Sequence, residues 1–167
     1  MNGKVAGKSV NGKTAHMGVM AAWCALLMLV AVMLGGCTAK TTKAYTFKVE
    51  TGDSVKVALN TTGGYDLTKD LPFEVKKGDD VLAKGTFIKG EYFDEYSQKA
   101  HDEANVLDEG EHDGNRFVFW EYTQDDASEY AYVIEVKNSS TGVLLSANSQ
   151  QEAEDAFGRL TISLAGK

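Results

Sequence analysis

The sequence predicts an α+β domain: an antiparallel sheet with two amphipathic helices packed on it, in an α/β/α arrangement, behind a hydrophobic leader. Three observations carry this reading. From Tyr45 onward, short runs alternate apolar and polar residues between turn-forming residues, which is the period of strands. Glu91 to Ala104 and Ser149 to Leu160 change to a spacing of three and four, the period of helices. Met17 to Gly36 is apolar and without charge, unlike anything after it.

The leader has the parts of an export signal. Lys4, Lys8 and Lys13 stand without any acid, an apolar core follows, and small residues close it. The core ends on Leu34-Gly35-Gly36-Cys37, a large apolar residue and two small ones before a cysteine. This resembles the lipobox of bacterial lipoproteins. The resemblance implies diacylglycerol on the Cys37 thiol, cleavage before Cys37, and a fatty acid on the new amino terminus; no other cofactor is expected. Residues 1–36 then form a lipoprotein signal peptide, 37–43 a tether and 44–167 a single domain. An uncleaved membrane anchor is the alternative, since the run from Met17 to Gly36 is long enough to span a bilayer. Gly-Gly-Cys favours the lipoprotein, because an anchor has no use for it. Either way the basic leading segment stays inside and the remainder faces outside the cytoplasm.

Of 17 basic and 24 acidic residues, only the three leader lysines precede Cys37, so the remainder holds 14 bases and carries a net charge of −10. That balance disfavours nucleic acid as a partner. Cys24 lies inside the leader core, so after cleavage no cysteine pair remains and burial of apolar side chains has to hold the domain.

Tyr45 to Val49 and Val55 to Leu59 read as a hairpin around Thr51-Gly52-Asp53, and Asn60 to Asp70 as a loop. Phe73 to Ile88 reads as a second hairpin turning at Lys77-Gly78-Asp79-Asp80. Tyr92, Phe93, Tyr96 and Ala100 form the apolar face of the first helix. Asp108 to Gly114 reads as a loop, then Phe117 to Thr123 and Tyr130 to Lys137 as strands joined through Gln124-Asp125-Asp126. Val143 to Leu145 continues the strands. Ser149 to Glu152 is a capping box opening a helix on Ala153, Ala156, Phe157 and Leu160, and Thr161 to Leu164 closes the chain as a strand. This order of elements resembles PsbP-like domains, α/β/α sandwiches also found in bacterial lipoproteins, and implies a binding or assembly role.

Two stretches are candidate sites. Glu109, Glu111 and Asp113 place oxygens at alternate positions before Gly114, as calcium loops do. The twelfth position is however Trp120, with Glu121 one place late, so solvated acids explain the stretch better than a metal site. Phe117 and Phe119 point to one side of their strand and Val118, Trp120 and Tyr122 to the other. A central strand covered on both faces accounts for this; the functional alternative is an exposed platform of Trp120, Tyr122 and Tyr132 for a glycan, peptide or envelope protein. His101 and His112 read as solvated. No nucleophile motif or phosphate loop is present, so a binding module is favoured over an envelope-acting hydrolase, the alternative function.

Overall fold

The computed structural model describes residues 41–124 and 127–166; the leader, the lipobox and Cys37 lie outside them. The domain is mixed α and β, with antiparallel sheets and two helices, and strands dominate it. Its strands are β1 (Thr42–Lys48), β2 (Ser54–Asn60), β3 (Tyr65–Leu67), β4 (Phe73–Lys77), β5 (Asp80–Lys89), β6 (Asn105–His112), β7 (Asn115–Gln124), β8 (Ala127–Glu135), β9 (Thr141–Ala147) and β10 (Leu160–Leu164). Helix α1 (Tyr92–Glu103) follows β5, and α2 (Gln150–Phe157) precedes β10.

The strands form two sheets where the sequence suggested one. Seven pair in the order β3-β4-β5-β9-β8-β7-β6, and three pair in the order β1-β2-β10. The split arises because the end of the chain returns to the first hairpin: Ile162 of β10 sits opposite Val57 of β2. The presumed loop from Asn60 to Asp70 contains β3, which crosses to the larger sheet and pairs with β4. The presumed loop from Asp108 to Gly114 is mostly strand. β6 runs to His112, and Asp113 (φ 53°) with Gly114 (φ 84°) makes the tight turn into β7, both central residues taking the positive φ that matches strand twist. β1 begins at Thr42, so Thr42 and Lys43 of the expected tether belong to the strand.

The larger sheet is apolar on both faces. Val118 and Trp120 of β7, with Ala131 and Val133 of β8, meet Phe93 and Ala100 of α1. Tyr92, expected on that face, is exposed. On the other face Phe117, Phe119, Tyr132 and Ile134 join Val55, Val57, Leu59 and Ile162 of the smaller sheet and Ala153 and Ala156 of α2. Aromatic rings join these layers. Phe47 of β1 lies 5.9 Å from Phe73 of β4 and 5.3 Å from Phe87 of β5. Tyr132 is stacked between Phe119 and Phe157, with centroids 4.1 Å away on each side. Ring pairs of this kind add about 0.5–1.5 kcal/mol each beyond the area they bury.

Helix α2 starts as its sequence suggests. The Ser149 hydroxyl accepts from the Glu152 amide at 3.3 Å and donates to the Glu152 carboxylate at 2.8 Å. The carboxylate thus returns to the hydroxyl, where a full capping box would return it to the Ser149 amide.

Two positions test this packing. A Cβ on Gly85 of β5 would fall 2.1 Å from the fully buried Phe73 ring. Gly85→Ala should therefore cost about 1–3 kcal/mol in denaturant unfolding, and a loss under about 0.5 kcal/mol, the range of an ordinary surface change, would mean the ring is not confined. Asn115, buried at the start of β7, donates to the Ile162 carbonyl at 2.8 Å and accepts from the Lys137 amide at 2.9 Å. It joins the larger sheet to β10. Asn115→Ala strands both backbone groups and should destabilise by about 1–3 kcal/mol; an unchanged unfolding midpoint would contradict that role.

Candidate functional site

A groove between α1 and the larger sheet is the best-formed apolar concavity. Its volume is about 460 Å³, within the span of small-molecule sites. Tyr96, Ala100 and Ala104 supply the wall on the helix side, and Trp120, Tyr122, Ala131 and Leu144 line the sheet side. Lys99 and Glu103 of the helix and Thr123 and Ser146 of the sheet also line it. Ala100, one turn after Tyr96 on α1, and Ala104, just past the end of the helix, are the small residues of this wall.

Tyr122 is the one groove residue with a strongly shifted acidity. Burial first, then its hydrogen bond to Glu129, pushes the phenol up to about 12. The hydroxyl donates to the Glu129 carboxylate at 2.5 Å, its cross-strand neighbour in the β7–β8 register. A phenol committed in this way stays neutral at physiological pH. The groove therefore offers an aromatic surface with polar groups among its lining residues.

Of the proposed platform, Trp120 and Tyr122 share this groove and Tyr132 does not. The register pairs Phe119 with Tyr132 and Trp120 with Ala131, so Tyr132 lies on the Phe119 face. It is 3% exposed, and Trp120 is 7% exposed, so the three rings form no common exposed surface. Ala131, Leu144 and Ser146 complete the groove instead. Only the strand register brings them beside Trp120, and nothing in their local sequence signals it.

The acids of β6 and of the turn after it are dispersed. Glu109 pairs with His101 at 3.1 Å, while Asp113 accepts from the Thr161 hydroxyl at 2.9 Å. Among the described residues, no three His, Cys, Asp or Glu side chains are grouped to hold a metal ion. His112 is not a solvated loop residue. It is half-buried at the end of β6, its ring 4.8 Å from Phe157 and its Nε2 3.3 Å from the Leu160 carbonyl.

One cluster escaped the sequence reading. Asp155 of α2 accepts from the Tyr65 hydroxyl and, at 2.9 Å, from Arg159. The Arg159 guanidinium lies 3.7 Å over the Tyr65 ring. Burial works to raise the Asp155 carboxyl, yet the Tyr65 and Arg159 hydrogen bonds hold it below the usual carboxylate range. The i,i+4 spacing of Asp155 and Arg159 on a helical stretch was the available signal; Tyr65 arrives from far along the chain.

No family model and no curated protein matches the chain.

The raised Tyr122 pKa gives a signed pH dependence. A phenol whose folded pKa lies above its ordinary 10.0 stabilises the fold below pH 10, and this contribution is lost as the pH rises through about 12. Comparing phenolate absorbance of wild type and Tyr122→Phe across this range should assign one late-ionising tyrosine to position 122. Loss in Tyr122→Phe of a phenol that ionises near the ordinary 10.0 would contradict the burial described.

Proposed function

We propose that the chain is a membrane-anchored extracytoplasmic lipoprotein whose domain acts as a binding or assembly module. The single observation that carries this reading is Leu34-Gly35-Gly36-Cys37 at the end of an uncharged apolar run that follows three lysines. Diacylglycerol and a fatty acid on Cys37 hold the domain at the membrane, since two or more chains are needed for stable anchoring. The mature protein works outside the cytoplasm of a bacterial cell. Its ligand or partner belongs to the cell envelope, an envelope protein or a glycan, and meets the domain at the groove lined by Trp120 and Tyr122.

The finer fold reading, a PsbP-like sandwich, belongs to the same proposal. What supports it is that α1 packs against one face of the larger sheet while α2 packs near the other, touching β5, β8 and β9. The smaller sheet shares that second face with α2, a departure from a plain three-layer sandwich.

Cells fed a labelled fatty-acid precursor should incorporate label into the wild-type protein and not into Cys37→Ser. Equal incorporation into both would refute the lipoprotein reading.

A further inference from the structure

We infer that one end of the domain, built from Thr41, the Thr61–Gly64 loop, the turn at Lys77-Gly78 and Arg159, faces the lipid surface, and that the opposite end, with its acidic cleft, is presented away from it. The inference rests on lipid attachment at Cys37 and adds to it an orientation.

The first end is assembled by hydrogen bonds among segments far apart in sequence. The Thr61 amide donates to the Thr41 carbonyl at 2.9 Å, and the Gly78 amide to the Gly64 carbonyl at 3.1 Å. Arg159 reaches the Thr62 carbonyl at 3.1 Å. The chain enters the domain at this end. The other end holds the turn after β1, where the Ser140 amide donates to the Asp53 carboxylate at 2.8 Å. Beside that turn lies a cleft of about 670 Å³ with four carboxylates, Glu50, Glu91, Asp94 and Glu135, and one lysine, Lys89.

Covalent geometry decides which end approaches the bilayer. From Cys37 to Thr42 is five residue steps, which span at most about 17 Å when fully extended. β1 has seven residues, about 20 Å from end to end. The acidic cleft lies beyond the far end of β1. With β1 upright, turning that cleft onto the membrane would lift Thr42 farther from the surface than the connecting chain reaches.

The orientation is tested on the full chain, expressed with its leader and with Cys37 intact. One variant carries Thr62→Cys and another Glu91→Cys, both at exposed positions. Each is coupled to the same thiol-reactive fluorophore and added to phosphatidylcholine vesicles containing a headgroup-level quencher. Quenching should be several-fold stronger at position 62 than at position 91. Equal or reversed quenching, with vesicle binding that still depends on Cys37, overturns the orientation and leaves the anchor standing. Vesicle binding by Cys37→Ser equal to that of wild type overturns the anchor as well. A Gly/Ser insert of roughly ten residues after Lys40 lengthens the flexible reach and should bring the two positions close to equal. A difference unaffected by the insert would refute the short connection as its cause.

Discussion

A seven-stranded sheet that is apolar on both faces has to be covered twice, and the rest of this domain follows from that requirement. β7 and β8 set the condition, since Phe117, Phe119, Tyr132 and Ile134 are buried on one side and Val118, Trp120, Ala131 and Val133 on the other. Among the described residues, helix α1 covers the second face. The first is covered by α2 together with the three-stranded sheet. Burial of this kind stabilises by about 25 cal/mol for each Å² of apolar surface removed from water. With no cysteine pair beyond the leader, that burial is the main force holding the layers together.

Polar side chains fix how the layers sit. Asn115 joins the start of β7 to β10, and the Asp53 carboxylate joins the turn after β1 to the β8–β9 connection through the Ser140 amide and, at 2.9 Å, the Thr141 hydroxyl. Asp155 holds α2 to Tyr65 on β3. Each partner of these bonds comes from a different part of the chain. Apolar contacts tolerate sliding, whereas a buried amide left without its partner, as at Asn115, costs about 1–3 kcal/mol. The bonds thereby select one register among the arrangements that burial alone would allow.

Local chemistry made much of the fold legible. Both helices, the hairpin of β4 and β5 and the opposite facing of Phe119 and Trp120 follow from periodicity and turn residues. Pairing between distant segments was not legible. β10 joins β2 because Leu160 and Ile162 fit a half-built apolar face, and no local pattern announces a partner a hundred residues away. β6 was hidden for a different reason. Asp108, Glu109 and Glu111 look like loop residues, yet an exposed edge strand accommodates charges well, and they discourage pairing with another chain. The groove was half legible. Trp120 and Tyr122 were found by their alternation, while the exclusion of Tyr132 depends on a strand register that alternation within one strand does not determine.

The lipoprotein reading proposed above, if the leader is processed at Cys37, describes a domain held close to a lipid surface. A short connection from Cys37, a chain entry at one end and an aromatic groove beside α1 form one account in which attachment limits what the domain can reach. That account depends on how the chain begins after export. Mass spectrometry of the amino-terminal peptide from purified membranes tests it most directly. The account predicts a peptide starting at Cys37 and bearing diacylglycerol and a fatty acid; a peptide starting at Met1, or an unmodified Cys37, would contradict it.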